Sequence, residues 1–303
     1  MNSNFYNELL VILDKEKIYL DEPMKKHTTF RVGGPADYFV TPSTVEEVKL
    51  IVDLCKKENM PYYVLGNGSN LLVGDKGYRG VMIQIYKEMS DIIVEGEVIR
   101  VQAGALLSKI GAAALEEELQ GFEFAAGIPG TMGGAVVMNA GAYGGEMKDI
   151  LVEATVLTQE GEVLVLQNEE LELGYRTSVI AKKDYVVLGA TVKLVKGNKD
   201  EIKAKMDELK VQRVTKQPLE YPSAGSTFKR PTGYFAGKLI QDAGLRGFQV
   251  GGAQVSEKHC GFVINKDNAT AADIVELMKQ VADKVHAEFG VTLEPEVKRI
   301  GEF

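Results

Sequence analysis

Cysteine and histidine are scarce in this chain of 303 residues, at two and three, and tryptophan is absent. Cys55 and Cys260 stand far apart with no CxxC spacing, which excludes a disulfide framework and fits a reducing compartment. Each is expected to be a buried structural thiol. His27, His259 and His286 are widely separated, and no HExxH or paired Cys/His spacing occurs, so the sequence offers no metal site. No apolar run is long enough to span a bilayer, and the N-terminal stretch MNSNFYNELLVILDKEKIYL lacks the basic region of a signal peptide. A cytoplasmic protein without membrane insertion is expected. Positive charge is also lacking: 35 Lys and Arg against 43 Asp and Glu give −8, and the basic residues form no stripe, which excludes a nucleic-acid surface. Two nucleotide-binding signatures are missing too. GxxxxGK[ST] does not occur, and the turn Gly66, Asn67, Gly68, Ser69, Asn70 fails GxGxxG because Leu71 takes the third glycine position.

Glycine, by contrast, is abundant and concentrated. Residues 121–146, GFEFAAGIPGTMGGAVVMNAGAYGGE, hold glycine, alanine and a proline in place of nearly all charge. Glycine packs nothing and loses the most backbone entropy on folding, so this density marks turns or backbone meeting something bulky and flat. Exposed amide N–H groups there suit an anion, and small side chains admit a planar ring, as in a cofactor cradle. A glycine-rich connection between sheets is the plain alternative.

The hydrophobic pattern predicts an α+β chain of about two domains. A helix is expected over 5–17, a strand at 36–40, a helix over 45–57 capped by Ser43, and a strand at 61–65 leading into the 66–70 turn. From 91 to 195 the pattern is mostly strand, with one helix over 108–118. A helix over 199–215 opens a second region, which ends on a capped helix from Thr270 to Gly290. The resulting division is an N-terminal helix (1–20), a first domain (21–195, in two parts of about 21–90 and 91–195) and a second domain (196–303).

Six motifs together resemble one family. They are Thr29-Phe30-Arg31-Val32-Gly33-Gly34-Pro35-Ala36, the 65–70 turn, Ile128-Pro129-Gly130-Thr131 with Asn139-Ala140-Gly141-Ala142-Tyr143, Gly174-Tyr175-Arg176-Thr177-Ser178, Ala224-Gly225-Ser226-Thr227-Phe228-Lys229, and Leu293-Glu294-Pro295-Glu296-Val297. Over nearly its whole length the chain is similar to the UDP-N-acetylenolpyruvoylglucosamine reductases (MurB), flavoenzymes of bacterial peptidoglycan precursor synthesis. The first three motifs are shared with the wider FAD superfamily of the vanillyl-alcohol-oxidase (PCMH) type. The last three belong to the reductases. The resemblance implies a two-part FAD-binding domain followed by a smaller α+β substrate-binding domain. The short connection after Arg176 resembles the second type of the family, which lacks a tyrosine-bearing loop.

The same resemblance implies the chemistry: NADPH reduces a non-covalently held FAD, which then reduces the enol ether of a UDP-sugar. Arg176 would meet the substrate carboxylate, Ser226 would protonate the adjacent carbon, and Glu296 would stabilise the enol form. FAD would be held by Gly66, Asn67, Gly68, Ser69 and Asn70 and by Gly127, Ile128, Pro129, Gly130, Gly133, Gly134, Asn139, Ala140 and Gly141. Gly133→Val is expected to lower FAD occupancy before fold stability. Tyr175, Lys216, Arg213, Arg246 and His259 would face the UDP-sugar, Lys216 with charge suited to a diphosphate. Taken singly, Ser226 reads as a capping hydroxyl, Arg176 as a surface ion-pair partner and Glu296 as a solvated strand residue. An FAD oxidase acting on a small alcohol or sugar would share the cradle but not the Arg176, Ser226 and Glu296 set, and a flavin or nucleotide-sugar binder would turn nothing over.

Overall fold

The structure, a computed structural model, describes residues 3–303, so residues 1 and 2 of the expected N-terminal segment lie outside it. The chain packs as two compact units that interleave along the sequence. The first takes the N-terminal stretch to Tyr19, then Tyr38–Asn67 and Gly80–Gln212; the second takes Leu20–Asp37, Gly68–Arg79 and Arg213–Phe303.

In the first unit, helix α1 (Ser3–Ile12) buries Phe5 and Leu9. It stops short of the expected Lys17. Asp14 is extended, with φ −60° and ψ 145°, and a 3-10 turn at Lys15–Lys17 leads into the strand Ile18–Pro23. Helix α2 (Val45–Lys57) turns Val48, Ile51, Val52 and Cys55 inward at helical spacing. Its cap is Thr44, not Ser43: the Thr44 hydroxyl accepts the Glu47 N–H at 3.1 Å, while the Ser43 N–H donates to Glu47 Oε2 at 2.6 Å. The strand Tyr62–Leu65 pairs in parallel with residues 81–84.

The frame of this unit is a five-stranded antiparallel sheet in the order Val163–Gln167, Leu151–Leu157, Val186–Lys193, Val98–Gln102, Ile92–Glu95. Helix α3 (Leu107–Glu116) buries Leu107, Ile110 and Ala114, and the six-residue α4 (Met132–Val137) packs on the Val186–Lys193 strand. Helix α5 (Val179–Lys183) starts at Ser178, whose hydroxyl accepts the Ala181 N–H and donates to Val137 O at 2.7 Å. Helix α6 (Lys199–Lys216) is largely solvated and buries only Ile202 and Leu209.

The second unit is built on α7 (Ala236–Asp242), α8 (Ala271–Phe289) and a small antiparallel sheet of Gln249–Val250, Ala253–Val255 and Val263–Asn265. Helix α8 buries Ile274, Leu277, Met278, Val281 and Val285. Its start is capped at Thr270 as expected, by a capping box with Asp273, and Gly290 ends it at φ +66°. Two segments from early in the chain complete the unit. Leu71–Val73 pairs in parallel with Lys298–Ile300, and Phe30, Val32 and Leu72 enter the core beside Ala253, Ile274 and Val297. The Asp75 carboxylate accepts the N–H groups of Ala271 and Ala272, at 2.7 and 2.9 Å.

Candidate active site

Two glycine-rich loops meet within the first unit. Asn67 Nδ2 donates to Pro129 O at 3.0 Å, and a Cβ on Gly66 would fall 2.1 Å from Thr131 Oγ1, so only glycine allows that approach. Gln84 Nε2 holds Gly66 O at 3.2 Å, and the Leu107 N–H holds Gly130 O at 3.1 Å. The N–H groups of Gly66 and Asn67 have no acceptor among the described residues. Gly127 and Pro129 are exposed and Ile128 half-buried.

The paired glycines of α4 face opposite ways. A Cβ on Gly134, which is exposed, would have Thr131 Oγ1 as its nearest atom at 3.8 Å. Gly133 is buried against Ala103, whose Cβ lies 3.0 Å from where its own would stand. The expectation for Gly133→Val is corrected accordingly: the added bulk strains the packing of α4 first.

Downstream, Asn139 is buried, 1% exposed, with φ +43°. Its Nδ2 donates to Glu146 Oε2 at 3.0 Å and to Gly174 O at 3.2 Å, and its Oδ1 accepts the Lys148 N–H at 2.9 Å. Gly174 and Thr177 exchange backbone hydrogen bonds, which puts Tyr175 and Arg176 at the tip of a tight turn, with Arg176 at φ +54°. The half-buried guanidinium donates to Gly141 O at 3.4 Å and lies 5.2 Å from the centre of the Tyr175 ring. Ala140 is pinned by its N–H to Ala135 O at 2.8 Å.

In the second unit, three distant stretches are stitched together around Thr227. Its N–H donates to Gly261 O at 2.9 Å, its hydroxyl accepts the Val263 N–H at 2.9 Å, and its carbonyl accepts the Glu296 N–H at 2.8 Å. The preceding residue is Ser226, exposed after Gly225 at φ +74°. Glu296 O in turn accepts from Asn70 Nδ2 at 3.1 Å, so Ser226, Glu296, Asn70 and the 259–263 stretch form one neighbourhood. His259 Nδ1 accepts the Gly261 N–H at 3.0 Å, which leaves the proton on Nε2, and burial holds its pKa below the usual imidazole value. It is a neutral donor at pH 7.

The remaining candidates are more dispersed. Arg213 and Lys216 occupy the last turn of α6, Lys216 exposed and Arg213 half-buried. Arg246 already spends its guanidinium on Glu257 O and on Gln241 Oε1. Burial pushes the Cys55 thiol up to about 12 and raises that of Cys260, so neither is a thiolate at pH 7.

The sequence reading did not assign roles to two threonines. Thr227 is 0% exposed and shows its importance only through bonds to residues far along the chain. The Thr29 hydroxyl is the buried side-chain polar atom that finds no partner among the described residues. Its own N–H donates to Gly68 O at 3.2 Å, and a Cβ on Gly68 would strike His27 O at 2.0 Å, so residues 27–29 lie directly on the turn. The N–H groups of Gly68 and Ser69 also lack an acceptor among the described residues. An orphaned hydroxyl beside unpaired N–H groups and absent side chains fits a cofactor rich in acceptor oxygens, such as the diphosphate of FAD.

A family profile described as "UDP-N-acetylenolpyruvoylglucosamine reductase, C-terminal domain" matches residues 217–300, and one described as "FAD binding domain" matches residues 36–167. The chain is 55% identical over 301 residues to the UDP-N-acetylenolpyruvoylglucosamine reductase of Clostridioides difficile (strain 630), covering 99% of both chains. To that of Agathobacter rectalis it is 56% identical over 315 residues, covering 100% of both. The solved structure of the UDP-N-acetylenolpyruvylglucosamine reductase (MurB) from Thermus caldophilus is similar at a TM-score of 0.80 and 38% identity, over 93% of this chain and 97% of that one. Phl p 4.0202, a glucose dehydrogenase, is similar at a TM-score of 0.52 and 11% identity, over 96% of this chain and 64% of that one, a likeness of fold alone.

Proposed function

Because the chain belongs to the family of UDP-N-acetylenolpyruvoylglucosamine reductases, we propose that it reduces UDP-N-acetylglucosamine enolpyruvate to UDP-N-acetylmuramate with NADPH, in the cytoplasm, as a step of peptidoglycan precursor synthesis. FAD, when bound, supplies a two-electron relay, taking hydride from NADPH and passing it to the terminal carbon of the enol ether. The loops around Gly66, Asn67, Gly127 and Gly134 hold the cofactor with N–H groups and offer it no nucleophile for a covalent link. Gly68, Ser69 and the Thr29 hydroxyl serve its diphosphate.

The protein's own part in the second step is to manage charge and one proton. Arg176 binds the substrate carboxylate through its planar fork as negative charge builds on the neighbouring carbon. Ser226 gives its hydroxyl proton to that carbon, and Glu296 supports the enol form beside it. His259 contributes a neutral Nε2–H donor, and Lys216 a positive charge, to the UDP-sugar. The observation that supports this reading is the stitch at Thr227, whose carbonyl accepts the Glu296 N–H and so brings Glu296 to the residue that follows Ser226.

The test separates the two half-reactions by stopped flow. Ser226→Ala should leave bleaching of the flavin absorbance by NADPH nearly intact and slow reoxidation by the enolpyruvyl substrate by about 10²- to 10⁴-fold. Ser226→Cys should recover part of that loss. Equal slowing of both halves would make Ser226 structural, and reoxidation by air but not by the enolpyruvyl substrate would move the protein to the FAD oxidases.

A further inference from the structure

We infer that Asn139 is a positioning residue for the Tyr175-Arg176 turn, holding Arg176 where it meets the substrate, and that it does so in place of touching the cofactor through its side chain. The inference rests on the function proposed above. Both amide hydrogens of Asn139 are committed, one to Glu146 Oε2 at 3.0 Å and one to Gly174 O at 3.2 Å, and its Oδ1 takes the Lys148 N–H at 2.9 Å. No amide hydrogen is left for a ligand. The bond to Gly174 O fixes the base of the turn whose tip carries Arg176, and the Arg176 guanidinium returns to Gly141 O, two residues after Asn139. The base is doubly anchored, because Ser178 just beyond the turn donates to Val137 O, two residues before Asn139. The segments 137–141 and 174–178 are thus laced from both sides.

Arg176 has reason to need such a brace. It sits at φ +54°, an unfavourable backbone for an L side chain, which persists only when the surroundings hold it. Asparagine suits the bracing position because an amide offers two donors and an acceptor on one short arm and tolerates the left-handed backbone seen at φ +43°.

The test is Asn139→Asp in the FAD-loaded protein. Two carboxylates then face each other where an amide met Glu146, and Gly174 O meets an acceptor, so the turn is released at neutral pH. The charged groups around that point are Glu146, Asp149, whose carboxylate takes the Glu146 N–H, Lys148 and Arg176. Like charges raise one pKa of the pair, so the proton that restores a donor is held at low pH and lost as pH rises. Reoxidation of the reduced flavin by the enolpyruvyl substrate should therefore fall about 10- to 100-fold at pH 8 and recover towards pH 5.5, while bleaching by NADPH changes less than about threefold across the range. The double variant Asn139→Asp/Glu146→Gln, which removes the like charge but gives Gly174 O no donor, should lose that pH dependence and keep the lowered rate. Equal loss in both half-reactions, a loss explained by FAD release alone, or a pH profile matching the parent would overturn the inference. Should Asn139→Asp fail to fold, the same measurements on Asn139→Gly, which suits φ +43° and deletes both Nδ2 bonds, decide it: unchanged reoxidation there removes the brace. The unaltered protein run alongside tests the underlying reading separately, since failure of its own reoxidation by the enolpyruvyl substrate would refute the function and not the brace.

Discussion

A buried hydroxyl without a partner costs about 1 to 3 kcal/mol in desolvation, and native proteins keep few of them. The Thr29 hydroxyl, which has no partner among the described residues, is one. If the cofactor satisfies it, Thr29→Val should act in opposite directions on two measurable quantities. The FAD-free protein should melt at the same temperature or higher, because the penalty disappears, while FAD should dissociate about five- to tenfold more readily, as loss of about 1 kcal/mol dictates. Flavin fluorescence titration and a melt of the stripped protein read both. The glycine pair of α4 gives a matching contrast: Gly134→Val should lower FAD content with little change in melting, and Gly133→Val should lower the melting temperature, because it meets Ala103. Residue identities at the candidate site were largely legible, since Arg176, Ser226 and Glu296 stand in recognisable motifs. Their supports were not. Thr29, Asn139 and Thr227 matter through bonds to residues distant in sequence, as in the Thr227 bond to the Val263 N–H, and no local pattern records such a bond.

Among the helices, the ends show where local signals suffice. The capped start of α8 near Thr270 was readable, and the structure adds that Asp273 closes a capping box there. At α2 two hydroxyls stand side by side, and Thr44 took the cap while the Ser43 hydroxyl accepts from Lys17 Nζ and donates to Glu47 Oε2. What no local pattern could reveal is the second acceptor at the start of α8, the carboxylate of Asp75. Asp75→Ala should cost about 1 to 2 kcal/mol of stability by loss of two charge-assisted bonds, read as a lowered urea midpoint. Asp273 has its own pH signature. The Thr270 N–H, with the Gly252 N–H, holds its pKa below the usual aspartate value, so its stabilising share is complete above the unfolded pKa and lost as pH falls through the lower folded one. Acid denaturation of Asp273→Asn should accordingly be shallower than that of the parent below about pH 4.

At the scale of the molecule, the fold class was legible and the interleaving was not, because alternating strands and helices say nothing of which segment returns to which core. Phe30, Val32 and Leu72 belong to the core that α8 closes, and Leu71–Val73 is the partner of Lys298–Ile300. Residues 213–303 expressed alone would lack these and the Asp75 cap. The fragment should give a poorly dispersed amide proton spectrum, and a well-dispersed one would show that the early segments are dispensable. No helix among the described residues is long and apolar enough to cross a membrane.

The pairing of residues 71–76 with residues 298–302 has a consequence during synthesis. Gly74 donates to Ile300 O, Lys76 to Glu302 O, and Glu302 back to Gly77 O. On the ribosome, the segment around Leu72 emerges more than two hundred codons ahead of the strand it needs, and at roughly 5 to 20 residues per second it waits many seconds with an apolar edge uncovered. Chaperone occupancy during translation should therefore begin once the segment around Leu72 clears the exit tunnel and persist until residues 298–302 have emerged. A nonsense codon a few positions before 298 would leave a polypeptide without the partner strand, which the cell handles as unfinished.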